Sequence, residues 1–261
     1  MTVLTSAANP RIKAALSLRE RRDRERTGLT IVDGVREIDR ALRAGIDVVE
    51  LFAAPERCTT PECRSLLDRV PGWTAVAPTL IDRLAYGDRA DGAVAVVRAP
   101  SIALGDLRLP GHPLLVVLEA VEKPGNVGAV LRTADAAGAD ALLLADARTD
   151  PFNPNVIRAS LGTAFSVAIG VGAAGEVRAF LRERSIRIVA ARVDAPVAYP
   201  DVDLRGAVAI VLGSEASGLS GGWAGEDVIP VRLPMHGVAD SLNVSVTAGI
   251  LLYEAQRQRS T

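Results

Sequence analysis

Apolar and polar positions change rhythm along this chain, and the rhythm predicts its elements. From Asn9 to Arg26 a polar stretch carries Ile12, Leu16 and Leu18 on one side, which predicts a helix. Leu29–Val32 reads as a short strand. Val35–Ala44 has apolar residues at 35, 38, 41 and 42 and stops at Gly45, which predicts a helix closed by a glycine cap. Val48–Ala53 and Val94–Arg98 read as strands and Arg64–Val70 as a helix. Together these predict a small α/β unit over 1–98. Ala99–Pro113, with three prolines and two glycines, reads as a linker.

From Leu114 the alternation strengthens. The apolar runs Leu114–Leu118, Ala141–Ala145, Phe165–Ile169, Arg187–Ala191, Val208–Leu212 and Val228–Val231 predict strands. Between them, Asn126–Ala137, Pro154–Ser160 and Gly175–Arg184 predict helices. Ser241–Gln256 predicts a terminal helix with Leu242, Val246, Ile250 and Tyr253 on one face. Strands that alternate with helices imply a mainly parallel sheet covered on both sides, here over 114–261.

Composition narrows this picture. The chain has 261 residues, 49% of them hydrophobic, enough to bury a core and exclude a disordered polymer. Its net charge of −1 excludes a uniformly basic nucleic-acid binder, and 3% aromatics argue against a broad base-stacking platform. The average conceals an asymmetry. Residues 1–30 hold seven basic and three acidic side chains, net +4, whereas the remainder holds 23 and 28, net −5. This arm, with Arg21, Arg22 and Arg24, is either a solvated helix face or a polyanion-binding segment. Lys occurs only at Lys13 and Lys123, which a GC-rich coding bias explains most simply. Cys58 and Cys63 are too few for a structural zinc site and lack the spacing of a CxxC redox pair, so two free thiols in a reduced compartment are expected. The stretch Met1–Arg11 is polar, with no leader-type apolar region, and no apolar run approaches the ~20 residues that span a bilayer. A soluble chain is predicted.

The segments that can carry chemistry are loops. Neither GxGxxG nor GxxxxGK[ST] is present, which removes the usual dinucleotide and P-loop readings. Asn126-Val-Gly-Ala-Val-Leu-Arg-Thr-Ala-Asp-Ala-Ala-Gly138 opens a helix at Asn126 and places Arg132 on it. That arginine is either a surface side chain or a phosphate contact. Leu212-Gly-Ser-Glu-Ala-Ser-Gly-Leu-Ser220 takes a buried strand into a small-residue loop, where open α/β sheets bind ligands. Leu233-Pro-Met-His-Gly-Val-Ala-Asp-Ser-Leu-Asn-Val-Ser-Val246 places Ser241 and Asn243 where they can cap the terminal helix. His236 in that loop reads as a solvent-facing side chain rather than a base.

Taken in order and spacing, these three segments resemble the three motifs of the SpoU/TrmH family of RNA ribose 2′-O-methyltransferases. The resemblance covers about 114–256, and residues 150–166 are similar to the family's intermediate stretch. Residues 1–98 resemble, less specifically, the L30e-like substrate-binding domain that precedes the catalytic domain in many members. The resemblance implies a SPOUT-type α/β catalytic domain with a C-terminal trefoil knot, S-adenosylmethionine bound in the knot, and a homodimer. It implies catalytic roles for Asn126, Arg132, Glu215, Ser241 and Asn243. It places the cofactor against Leu212, Gly213, Ser214, Leu233, Met235, Ser241, Leu242 and Asn243. RNA contacts are expected from Arg21, Arg22, Arg24 and Arg158, with no metal and no membrane partner, in the cytoplasm. A guanidinium is a poor base, so Arg132 suits phosphate binding and alkoxide stabilisation better than proton removal. The two-domain layout favours ribosomal RNA, 23S above all. The alternatives are a tRNA methyltransferase, a self-resistance enzyme acting on rRNA at a drug site, and a non-catalytic RNA-binding scaffold.

Overall fold

The computed structural model describes residues 3–86 and 91–260. Met1, Thr2 and Thr261, included in the expected domains, lie outside the described residues. The chain divides into two compact units. One holds the chain up to Pro100 together with Asp150–Ser166, and the other holds Ser101–Thr149 and the chain from Val167 onward.

In the N-terminal unit, α1 (Pro10–Ser17), α2 (Arg21–Thr27), β1 (Leu29–Asp33), α3 (Val35–Arg43), β2 (Val48–Ala53), α4 (Pro61–Arg69), β3 (Thr74–Ala75), α5 (Pro78–Leu84) and β4 (Ala93–Arg98) follow in order. The sheet runs β1-β4-β2-β3, antiparallel except for the β2–β3 pair. Ile12, Ile31, Phe52, Leu80, Ile81 and Val94 are buried together as its core. The helix expected over Asn9–Arg26 is broken in two. Asn9 caps α1 through Arg11 N–H, and Leu18 turns into the core. The carbonyls of Leu18 and Arg19 then accept from the Arg24 guanidinium instead of continuing the helical ladder. Helix α4 starts three residues before the expected position, on a Thr60 cap and Pro61. This start brings Cys63 back beside Cys58, Cα to Cα 5.2 Å, and the two form a disulfide in place of the expected free thiols.

The segment Asp150–Ser166 carries α7 (Pro154–Ala159). It groups with the N-terminal unit, whereas the boundary drawn at 114 keeps it with the catalytic half. Thr30 Oγ1 donates to the Phe152 carbonyl, Arg40 donates to the Leu161 carbonyl, and Gly162 abuts α3 closely enough that a Cβ there would lie 3.0 Å from the Glu37 Cα.

The second unit contains β5 (Leu114–Glu119), α6 (Pro124–Ala136), β6 (Ala141–Ala145), β7 (Ala168–Gly172), α8 (Ala174–Glu183), β8 (Arg187–Ala191), β9 (Val197–Ala198), β10 (Val208–Leu212), β11 (Val228–Arg232) and α9 (Val244–Arg259). Its strands form one parallel sheet, ordered β7-β6-β5-β10-β8-β11-β9. Every residue of β5, β6 and β10 is buried, as continuous apolar runs in a two-sided sheet require. Val177, Phe180, Leu181 and Trp223 fill one side with Leu115, Val117 and Leu143. Helices α6 and α9 pack on each other, and α9 packs on β10. Helix α9 buries Val244, Ala248, Leu251, Leu252 and Ala255, not the face expected from the sequence. Val246 and Tyr253 of that expected face stand exposed, so the helix is apolar on two sides.

Candidate active site

The site grows from the carboxyl end of β10. Gly213 follows the strand, and the loop after it folds back at once. Gly218 N–H donates to the Ser214 carbonyl at 2.9 Å, with Gly218 in the left-handed region at φ +66°. A Cβ on Gly213 would lie 2.1 Å from the Gly218 carbonyl carbon, so only glycine permits this return. Ser214 and Ser217 hydroxyls, 2.8 Å apart, tie the loop internally.

This loop forms one wall of a cavity of about 380 Å³. The expected cofactor residues Leu212, Gly213, Ser214, Leu233, Met235, Ser241 and Leu242 all line it. Glu215 and Asp240 add carboxylates to the lining. Asn243 does not line the cavity. It caps α9, with its Oδ1 accepting from Ser245 N–H at 2.9 Å, and turns its amide toward the neighbouring cluster.

That cluster centres on Glu215. Its Oε1 accepts from Asn243 Nδ2 at 2.6 Å and from Asn126 Nδ2 at 2.9 Å, and its Oε2 accepts from Lys123 Nζ at 2.7 Å. Asn243 Nδ2 also reaches Asn126 Oδ1 at 3.3 Å. Two separate segments of the sequence, Lys123–Asn126 and Asn243, therefore converge on a carboxylate carried by a third. The hydrogen bond from Lys123 holds the Glu215 carboxyl below its usual range; partial burial opposes this, and the two asparagine amides reinforce it. The same contact raises the Lys123 ammonium above its usual range. Glu215 is thus favoured in its anionic form, a group suited to orienting amides and complementing a nearby cation.

Arg132 lies further along α6, exposed, with no ion pair or hydrogen bond to a described residue. The Glu215 cluster forms without it. Ser241 is exposed at the cavity, and His236 is exposed in the loop before it. Of the expected RNA contacts, Arg22 is exposed and Arg21 is an exposed partner of Glu25. Arg24 is a correction. Its side chain is 4% exposed, its Nε pairs with Asp150 Oδ2 at 2.6 Å, and its Nη1 donates to two carbonyls, so it cannot face RNA. Arg158 is half-buried, and its Nη1 is committed to Asp33 Oδ2 at 2.9 Å and to the Tyr86 carbonyl. It therefore serves as an internal tie of the N-terminal unit. Sequence reasoning missed Lys123, although its standing as one of two lysines among 28 arginines was a usable signal. Among the described residues no group of three His, Cys, Asp or Glu side chains is placed to hold a metal ion, and no helix is long and apolar enough to cross a membrane.

Comparison with known proteins follows this geometry. The SpoU rRNA Methylase family matches residues 113–253, and an MRM3-like substrate binding domain matches 9–95. A 23S rRNA (uridine(2479)-2′-O)-methyltransferase of Streptomyces viridochromogenes is 34% identical over 250 residues, covering 93% of this chain and 87% of that protein. A crystal structure of an RNA 2′-O ribose methyltransferase is 39% identical, with a TM-score of 0.89 over 100% of both chains. The SpoU methyltransferase AviRb from Streptomyces viridochromogenes, solved with AdoMet, is 31% identical, with a TM-score of 0.89 over 97% of this chain and 99% of that one.

Proposed function

We propose, from the premise that this chain belongs to the SpoU rRNA methylase family, that it transfers a methyl group from S-adenosylmethionine to a ribose 2′-hydroxyl of 23S ribosomal RNA. The observation that carries this reading is the convergence of Lys123, Asn126 and Asn243 on Glu215 beside a preformed cavity.

The residues present fit that cofactor. The cavity lies within the ~300–1,000 Å³ range of small-molecule sites. Leu212, Leu233, Met235 and Leu242 offer apolar walls for a purine, and Gly213 lets backbone approach closely. Glu215 and Asp240 supply negative charge to a cationic ligand. When bound, the cofactor supplies an electrophilic methyl group on a sulfonium. The protein's task is then to align a weak nucleophile, and orientation contributes much of the rate. Asn126 and Asn243, locked to Glu215, are pre-set hydrogen-bonding groups for that purpose. Arg132 carries a guanidinium without a described partner, suited to grip the adjoining phosphodiester and stabilise developing alkoxide. Arg21 and Arg22 of the basic arm extend the RNA contact, in the segment matched by the substrate binding domain.

A second copy of the chain covers the outer face of α9. Val246 and Tyr253 are exposed there, with Val193 and Val238 also exposed, an apolar set that water disfavours. The insertion of β10 between β5 and β8, with α9 returning onto α6, supports the trefoil knot. A ribosomal substrate favours the cytoplasm.

Transfer of labelled methyl from S-adenosylmethionine into 23S RNA, 16S RNA and tRNA, with the modified nucleotides mapped, tests the reading. Incorporation into a 23S ribose is expected. Arg132→Ala is expected to lower turnover by about a hundredfold, the scale of losing one oxyanion-stabilising donor, while cofactor affinity stays within about twofold. Intact cofactor binding with no methyl transfer to any RNA would leave the chain a scaffold and refute the proposal.

A further inference from the structure

The loop that walls the cofactor cavity leaves β10, and β10 lies between β5 and β8 in the sheet. Each neighbouring strand ends in a charged residue: Glu119 closes β5, and Arg192 follows β8. Both reach the same residue, Ser220, at the far end of the loop. Ser220 N–H donates to Glu119 Oε2 at 2.7 Å, and its hydroxyl donates to Glu119 Oε1 at 2.6 Å. Its carbonyl accepts from Arg192 Nη2 at 2.9 Å. Among the described residues Glu119 and Arg192 form no ion pair with each other, so each acts on Ser220 rather than cancelling its opposite.

Glu119 is only 3% exposed. Burying a carboxylate is costly unless it is hydrogen-bonded, and both oxygens of this one accept from Ser220. The loop is therefore fixed at both ends, by Gly213 against Gly218 and by Ser220 against two strands. Between those points lie Ser214, Glu215 and Ser217, all of which line the cavity. Glu119 and Ser220 do not line it, so any influence they have on the cofactor passes through the loop.

We propose that Glu119 and Ser220 are positioning residues for methyl transfer: with Arg192 they clamp the Gly213–Ser220 loop and thereby preset the cofactor cavity and the place of Glu215. This rests on the reading of the cavity as the S-adenosylmethionine site.

The test uses the full chain and measures S-adenosylmethionine affinity by calorimetry, methyl transfer to 23S RNA at saturating cofactor, RNA affinity and thermal unfolding. Ser220→Ala strips one charge-assisted donor from a buried carboxylate and is expected to weaken cofactor binding about tenfold, with RNA affinity unchanged. Ser220→Thr keeps both donors and is expected to restore binding to within about threefold of wild type. Should Ser220→Ala fail to fold, Glu119→Gln carries the test, because it keeps the shape and one acceptor, and a several-fold loss is expected. A lowered unfolding temperature with wild-type cofactor affinity and turnover would make the clamp merely structural and overturn the proposal, as would a Thr variant no better than the Ala variant. A wild-type chain that binds no S-adenosylmethionine would overturn the functional reading itself, and this proposal with it.

Discussion

Arg24 offers the sharpest separation between a charge that binds RNA and a charge that holds the fold. It lies within a basic arm, yet its side chain and that of Asp150 are 4% and 14% exposed, with Nε to Oδ2 at 2.6 Å. Its Nη1 also satisfies the carbonyls of Leu18 and Arg19 at 2.8 and 2.7 Å, where the chain turns between α1 and α2. Replacing it with Met fills most of the volume but leaves the largely buried Asp150 carboxylate without its cation, held by the Phe152 N–H at 2.8 Å. Breaking one side of a buried pair typically costs about 3–5 kcal/mol. Against a whole-domain stability of about 5–15 kcal/mol, that is a large fraction. With a urea slope of about 1–3 kcal/mol/M, the midpoint of the N-terminal unit's transition should fall by about 1–5 M. Arg24→Met combined with Asp150→Asn should recover part of the loss, because the orphaned charge is gone. Arg21→Gln and Arg22→Gln, both on exposed positions, should change stability by less than about 0.5 kcal/mol. They should instead flatten the dependence of RNA affinity on salt, by about 0.7 in log–log slope for each lost single-strand phosphate contact. Urea titration followed by circular dichroism and RNA binding across a salt series read the two effects separately. If Arg24→Met kept the wild-type midpoint and lost salt slope instead, the assignment of Arg24 to the fold would be wrong.

Three further outcomes are expected. Gly213→Ala should abolish most cofactor binding, since its Cβ would fall 2.1 to 2.4 Å from the Gly218–Leu219 backbone and the cavity wall must move; calorimetry that showed wild-type affinity would contradict this. Lys123→Met removes the main influence holding the Glu215 carboxyl low, so Glu215 should protonate at higher pH and the acid limb of the activity–pH profile should shift upward; an unmoved limb would show that Asn126 and Asn243 suffice. Burial raises the Asp33 carboxyl despite the Tyr86 amide and Arg158. A raised folded-state value favours folding below the unfolded value and loses that contribution as pH rises through the folded one, so stability should decline across that interval and Asp33→Asn should flatten the decline in thermal melts.

The difference between Glu215 and Arg24 shows what a sequence encodes locally and what it leaves to tertiary geometry. The parallel sheet was legible because Leu114–Leu118, Ala141–Ala145 and Val208–Leu212 are short runs, apolar without interruption, that alternate with helical segments, the pattern of a sheet buried on both sides. Glu215, Asn126 and Asn243 were legible only through the resemblance of their three segments, taken together, to the SpoU/TrmH motifs; each segment alone reads as a strand exit or a helix cap. Arg24 was not, because counting charges along a helix cannot reveal that its partner is Asp150, 126 residues away in sequence. The same holds for the whole segment 150–166, which the alternation of strands and helices assigns to the second unit. Its ties to the first are a threonine hydroxyl, two guanidiniums and a buried ion pair, none periodic in sequence. Helix α9 misled for the opposite reason. Its stripe of Leu242, Val246, Ile250 and Tyr253 reads as a core face, but a second apolar stripe through Ala248, Leu251 and Leu252 occupies the core and leaves Val246 and Tyr253 outside. A helix with two apolar faces has one more than its own sheet can cover. The error in reading the helix and the case for a second copy of the chain against it therefore have one physical origin.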